Sequence, residues 1–349
     1  MQPLHLVSIV LSVATVAYAS GSSDALILKR DYRIPSADRG IELSVRAKTP
    51  AGKATFAADE VVVFVHGHGL PSRPAFDVPH PDASWAEWMA RRGYAVLLFD
   101  LRNCGSSTHE RAMEEPPERN PAPSRSYVAV RDVAAVVDHA RSKHAVEQVV
   151  LVGWSWGATL AGYYASLHPE KVRRLVLYAP IYRGSSPAKP FEPSGAYAYL
   201  PATADVLRER WGKVLPIPAG SPPREDAIIE AVAAELRASD PTSAFRNPPT
   251  IRYPQGASED LHLARTGRPL WNASSVYSPT LVIVGDHDPF SPPEHAEALM
   301  ADLTHATLKR RVVIKDATHI AQFEPKRFEL FEEVLAFLRE PVVAVSKGR

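Results

Sequence analysis

Gln148-Val149-Val150-Leu151-Val152-Gly153-Trp154-Ser155-Trp156-Gly157-Ala158-Thr159-Leu160-Ala161-Gly162-Tyr163-Tyr164 decides how this chain folds. The stretch opens on an apolar, β-branched run and closes on a helix-forming one, with Gly-x-Ser-x-Gly between them. A pentapeptide of that form between a buried strand and a helix reads as a sharp turn that pushes the serine hydroxyl out of the backbone. The turn strains the serine, and strand and helix pass so closely that only small residues fit beside it. Gly153 and Gly157 supply that room. The helix beginning at the serine aims its positive end at the place where negative charge would develop next to the hydroxyl.

The same strand–helix alternation extends outward from this turn. Ala25 to Ile34 and Ile41 to Ala47 read as an antiparallel pair joined at Asp38-Arg39-Gly40. Val61-Val62-Val63-Phe64-Val65 is continuously apolar, as a strand buried on both faces must be. Ser84 to Arg92 reads as a short amphipathic helix stopped by Gly93, Tyr94 to Phe99 as a buried strand, and Tyr127 to Arg141 as a helix. Val172 to Tyr178 is a further strand. Thr280 to Val284, Pro292 to Leu303, Leu308 to Ile314 and Pro325 to Leu338 continue as strand, helix, strand, helix. The expectation is an α/β fold with a mostly parallel central sheet and helices on both faces.

Residues 183–276 break this rhythm. They are rich in Pro, Ala, Arg and Glu, carry a helical piece at Arg224 to Arg237, and lack a convincing buried strand. They read as an inserted helical cap over the carboxyl ends of the strands, dividing the core into residues 20–182 and 277–349. The aromatics Phe191, Tyr197, Tyr199, Trp211, Phe245, Tyr253 and Trp271 argue against a disordered insertion.

Bulk composition narrows the function classes. The 349 residues suit one large domain with an insertion. Lys plus Arg is 40 against 39 Asp plus Glu, so nothing is basic enough to grip nucleic acid or an anionic membrane. The one cysteine, Cys104, excludes an intrachain disulfide and a Cys-rich metal site. Leu4 to Ala19 is apolar or small and uncharged, and Ala17-Tyr18-Ala19 precedes Ser20 as an A-x-A cleavage site does. Residues 1–19 therefore read as a cleaved secretory signal, too short for a membrane span, although the first residues lack Lys or Arg. The expectation is a secreted or extracytoplasmic protein with no integral membrane segment.

A serine hydroxyl is a weak nucleophile at neutral pH and needs a base, which in turn needs an orienting acid. On a sheet of this kind the chain order is serine, acid, histidine. His319 follows the last expected strand in Lys315-Asp316-Ala317-Thr318-His319, where a loop at the carboxyl end of a strand can carry a base. His287, His295 and His305 are rivals, two of them in or beside an expected helix. For the acid, Asp286 and Asp288 follow a strand, and Asp288 is preferred because Asp286 can sit in the turn and accept from backbone amides. No Asp or Glu lies between Tyr178 and Arg183, which leaves the alternative acid position empty. The oxyanion requires two backbone N–H donors. Trp156 is expected to supply one and His68, in His66-Gly67-His68-Gly69, the other. His66-x-His68 could chelate zinc, but no conventional third-ligand motif follows, so neither metal nor cofactor is expected. Asp100 and Arg102 are expected to brace loops, and Cys104 to fill a buried gap.

These residues together resemble the α/β-hydrolase superfamily, from about Val61 to the carboxyl end apart from the cap. Phe99-Asp100-Leu101-Arg102-Asn103-Cys104-Gly105-Ser106-Ser107, Ser155-Trp156-Gly157 and His168-Pro169-Glu170-Lys171-Val172 are similar to the prolyl aminopeptidase branch. The chain departs from that branch at His66-Gly67-His68-Gly69-Leu70, where the branch usually has His-Gly-Gly-Pro-Gly. The resemblance implies acyl transfer to water on a small-molecule substrate. Trp154 and Trp156 flank the serine, Trp154 being a candidate substrate contact. The cap's charge is nearly balanced, so the expected substrate is a neutral, fairly apolar carboxylic ester or lactone. The alternative is an exopeptidase or amidase, in which Glu209, Glu225, Asp226, Glu230 or Glu235 would capture an amine. A ligand-binding protein that has lost turnover is the third reading.

Overall fold

The computed structural model describes residues 26–184 and 197–341. The expected signal over residues 1–19 and Phe191 lie outside the described residues.

The described residues open on the expected antiparallel pair, β1 (Ile27–Pro35) and β2 (Glu42–Pro50). The buried run then forms β3 (Val61–Val65), followed by α1 (Ser72–Phe76) and α2 (Trp85–Arg91). Ser84 caps α2 by accepting from the Glu87 amide at 3.0 Å, and Gly93 turns the chain out of it with φ of 98°. β4 (Ala95–Phe99), α3 (Ser126–His144), β5 (Val149–Trp154), α4 (Trp156–Leu167) and β6 (Val172–Tyr178) follow. The segment between the two halves of the core carries β7 (Tyr199–Ala202), α5 (Ala204–Val214), α6 (Asp226–Ser239), β8 (Ile251–Pro254) and α7 (Gly256–Arg265). The chain closes on β9 (Thr280–Gly285), α8 (Pro293–Asp302), β10 (Lys309–Ile314) and α9 (Arg327–Arg339).

The main sheet runs β1-β2-β4-β3-β5-β6-β9-β10, parallel from β4 onward. The apolar runs make sense strand by strand. Val61, Val63 and Val65 of β3 join one core with α3 and α4, whereas Val62 and Phe64 join the other with α2 and α9. Side chains alternate across a sheet covered on both faces, so every position has to be apolar. The parallel strands all point their carboxyl ends the same way. That brings the loops carrying His66–Gly69, Ser155, Asp286–Ser291 and Asp316–Ile320 to one edge.

The insertion corrects one expectation. It does contain strands: β7 and β8 pair antiparallel as a separate two-stranded sheet. Each is only four residues long and each includes a proline, so neither shows a β pattern along the sequence. Its aromatics also divide. Trp211 stacks on Phe323, whereas Trp271 packs on Tyr182 in the main core and Phe245 is 89% exposed. Among the described residues no helix is long and apolar enough to cross a membrane.

Candidate active site

Ser155 sits between β5 and α4 with φ 57° and ψ −122°, a conformation that L-residues avoid. The flanking glycines are there for space. A Cβ on Gly157 would stand 2.1 Å from the Val65 carbonyl oxygen, and one on Gly153 would stand 2.4 Å from that of Gly157. The backbone strain is held by neighbours: the Ser155 amide donates to the Tyr178 carbonyl of the next strand at 2.9 Å.

Two side chains from far along the chain meet this serine. His319 Nε2 lies 2.8 Å from Ser155 Oγ, and His319 Nδ1 lies 2.7 Å from Asp288 Oδ2. The other carboxylate oxygen of Asp288 accepts from the Phe290 and Ser291 amides at 2.8 and 2.9 Å. The carboxylate is thus aimed by its own turn, and it can orient the imidazole with Nδ1–H toward itself and a bare Nε2 toward the serine. All three residues are buried. The imidazole is wedged between the Phe290 edge at 5.2 Å and Trp154 at 5.7 Å. Asp286 takes the turn role, accepting from the Ala317 amide at 3.3 Å. The rival histidines are elsewhere: His287 is half-exposed on that turn, His295 accepts from the Tyr182 amide at 3.3 Å, and His305 reaches the Ser274 carbonyl at 2.6 Å.

Trp156 opens α4, so its amide is one of the helix's first N–H groups, which have no acceptor within the helix. The loop after β3 passes beside the serine, since a Cβ on Gly67 would stand 3.0 Å from Ser155 Cβ. His68 follows in that loop; its Nε2–H donates to the Pro254 carbonyl at 3.1 Å and its ring meets Tyr253 edge-on. His66 is fully engaged by the main chain. Its Nδ1–H donates to the Gly67 carbonyl at 2.8 Å and its Nε2 accepts from the Leu101 amide at 3.1 Å. Burial holds its pKa below the ordinary imidazole value. Both nitrogens being spent, His66 and His68 offer no shared metal chelate.

Of the two tryptophans flanking the serine, Trp154, the candidate substrate contact, is the one beside the cavity. The Trp156 indole turns into the core and donates to Asp260 at 3.3 Å; it does not line the cavity over the serine. Trp154 does border that cavity but is 3% exposed, and its indole N–H donates to the His319 carbonyl at 2.9 Å. The Tyr178 hydroxyl, 2.8 Å from Gln322 Oε1, also stands 3.2 Å from that carbonyl and shares its one proton between the two, a contact that sequence pattern gives no means of finding. Asp100 and Arg102 brace loops as expected: Asp100 accepts from the Ser72 and Ser106 amides, and Arg102 pairs with Asp132 and Asp38. Cys104 is buried and its thiol pKa is pushed up by desolvation.

A cavity of about 230 Å³ opens over Ser155 and His319. Its walls mix apolar side chains, Ile181, Phe290 and Ile320 from the core and Leu200, Trp211, Leu215 and Leu261 from the insertion, with the polar groups of His68, Tyr253, Ser258 and Arg265. Among the described residues that line it, Arg265 is the one guanidinium and no carboxylate is present. None of the five acids considered for amine capture, Asp226 included, is among the described lining residues. Glu209 pairs with Lys213, Glu225 with Arg327, Glu230 with Arg208 and Glu235 with Arg73.

The sequence matches the model of the alpha/beta hydrolase fold family over residues 60–326. The chain belongs to the α/β-hydrolase family. Among curated relatives, this α/β hydrolase is 29% identical to a proline iminopeptidase of Arabidopsis thaliana over 33% of its own length and 27% of the relative's. It is 28% identical to epoxide hydrolase 3 of Siraitia grosvenorii over 40% and 38% of the two chains. The chain thus spans well under half the length of these relatives. Among solved structures it superposes on the thioesterase domain from a curacin biosynthetic pathway with TM-score 0.58 at 17% identity, covering 88% and 99% of the chains. The enol-lactonase of Burkholderia xenovorans LB400 gives TM-score 0.57 at 17% identity, covering 88% and 100%. At such identity these two likenesses speak for the fold alone.

Proposed function

We propose that this chain is a serine hydrolase that cleaves a neutral, fairly apolar carboxylic ester or lactone through Ser155, His319 and Asp288. The observation that carries the reading is the unbroken line of short contacts from Asp288 through His319 to Ser155, directly beneath a cavity with apolar side chains in its walls and no carboxylate among its described lining residues. His319 Nε2 takes the hydroxyl proton as Ser155 Oγ attacks the carbonyl carbon. The carbonyl oxygen becomes an oxyanion held by the amides of His68 and Trp156. His319 then returns the proton to the leaving alkoxide, which departs and leaves an acyl-enzyme. Water, deprotonated by the same imidazole, attacks the acyl carbon and releases the acid. Asp288 stabilises the imidazolium in both halves. The walls, with no carboxylate among the described lining residues, favour this over the exopeptidase reading, which needs an anion to hold the substrate's amine. The similarity to a proline iminopeptidase keeps that second reading in play.

The first experiment is labelling with a fluorophosphonate. Wild type is expected to be labelled and Ser155→Ala not; an unlabelled wild type would favour a ligand-binding protein without turnover. The second runs a panel of p-nitrophenyl esters and lactones beside aminoacyl anilides. Faster turnover of the anilides would overturn the ester preference.

A further inference from the structure

His319 lies in a loop that is itself held from below. Glu324, five residues on, is 3% exposed and turned back onto Thr318, the residue before the histidine. Its Oε2 accepts from the Thr318 amide at 2.8 Å and its Oε1 from the Thr318 hydroxyl at 2.7 Å. The charge of this buried carboxylate is met from the insertion. Arg224, in the loop between α5 and α6, donates to Glu324 Oε1 through Nε at 2.9 Å and Nη2 at 2.6 Å. The same Nη2 lies 2.7 Å from the carbonyl of Leu215 and 3.3 Å from the Thr318 hydroxyl oxygen. Leu215 is part of the cavity wall. One guanidinium therefore touches the wall that meets substrate and the loop that carries the base.

Geometry gives these contacts a consequence. A carboxylate buried without its cation is costly, so removing Arg224 leaves Glu324 a poor anchor for Thr318. The hydrogen bond from His319 to Ser155 is productive over a narrow range of positions, and displacement by about 1 Å can cost about 100-fold in rate. A second pair, Arg327 with Glu225 at 2.8 Å, ties the same insertion loop to α9. Arg327 Nη1 also donates to the Glu324 main-chain carbonyl at 3.2 Å, so the pair meets neither the Glu324 carboxylate nor Thr318, and replacing Glu225 leaves that carbonyl contact in place. It separates general docking of the insertion from control of the histidine.

We propose that Glu324 and Arg224 are positioning residues: Glu324 sets the loop that carries His319, and Arg224 couples that loop to the cavity wall at Leu215. The inference rests on the serine-hydrolase reading above. Its test compares wild type with Glu324→Gln, Arg224→Met, Thr318→Val and Glu225→Gln in the full-length protein. The readouts are the rate constant of fluorophosphonate labelling, kcat and KM on p-nitrophenyl butyrate per labelled site, and the melting temperature. Arg224→Met and Glu324→Gln are expected to lower kcat and labelling rate about tenfold or more, with KM changed far less. Glu225→Gln is expected to stay within about twofold of wild type. The double variant Arg224→Met/Glu324→Gln should be no slower than the worse single one, since the two act as a unit. Thr318→Val, which alters only the hydroxyl contacts, should show a smaller loss and serves if the others fail to fold. Variants that melt earlier yet keep wild-type kcat per labelled site would overturn the proposal, as would equal losses in Arg224→Met and Glu225→Gln. A wild type that resists labelling would remove the underlying reading instead, and the clamp with it.

Discussion

Replacing Asp288 by Asn tests the proton relay with almost no change of volume. The amide has two ways to sit. With its oxygen where Oδ1 now is, it still accepts from the Phe290 and Ser291 amides, which stand at 2.8 and 2.9 Å. Its NH2 then faces His319 Nδ1, where the carboxylate oxygen accepts at 2.7 Å today. Nδ1 must accept, so the ring proton moves to Nε2 and points at Ser155 Oγ. An imidazole in that tautomer cannot take the serine proton. The flipped amide would restore the tautomer but set NH2 against two backbone N–H groups, forfeiting two buried hydrogen bonds at about 1–3 kcal/mol each. The wrong tautomer therefore dominates. The expected loss is about 10⁴-fold in kcat, equivalent to about 5.4 kcal/mol of transition-state stabilisation. The assay is p-nitrophenyl butyrate hydrolysis, with Ser155→Ala as background and circular dichroism to show an unchanged melt. A folded Asp288→Asn within tenfold of wild type would refute the assignment of this carboxylate.

Four further outcomes are expected. Trp154→Phe removes the indole donor at 2.9 Å from the His319 carbonyl, where the Tyr178 hydroxyl stands farther off at 3.2 Å, so kcat should fall about 3- to 10-fold with about 1–2 kcal/mol of stability, read from urea melts; wild-type kcat would show that Trp154 only fills space. Gly157→Ala drives a methyl into backbone oxygens at 2.1 and 2.5 Å and should cost about 3 kcal/mol or more, a melting temperature lower by about 6 °C or more; an unchanged melt contradicts the tight crossing. Burial lowers the pKa of His66, His139, His144 and His295, so below about pH 6.5 the unfolded chain binds protons that the folded one refuses. Stability should then be greatest above that pH and fall toward pH 5, less steeply in His295→Gln, and a urea midpoint that is flat or rises on acidification would exclude the effect. If residues 1–19 are a cleaved secretory signal, intact mass of the protein exported from its native host should place the amino terminus at Ser20; retention of Met1 would count against cleavage there.

The core was legible in the sequence because its signals are local. The continuous apolar run Val61–Val65 matches its strand end to end, since a strand covered on both faces tolerates no unpaired polar position, and in Val172–Tyr178 the two arginines sit at the entry of the strand and pair with Asp59. Ser155, Asp288 and His319 could be picked because each follows a strand, and parallel strands deliver such loops to one edge. The helix start at Ser84 was readable for the same reason, its cap being made three residues on, whereas the amide that Asp286 accepts from, that of Ala317, lies in another loop. What only the tertiary structure decided depends on direction and distance between segments. Trp154 and Trp156 look equivalent around the serine, yet a helical start sends one indole to Asp260 and the strand end sends the other under His319. The four-residue strands β7 and β8 exist through each other, so neither leaves a periodic trace alone. Glu225 and Glu235, offered by the sequence as candidates to capture an amine, are partners of Arg327 and Arg73 from the core. Charge pairing across a fold has no sequence period, and so the balance of the cavity and the grip on the histidine loop appear only once the chain has closed on itself.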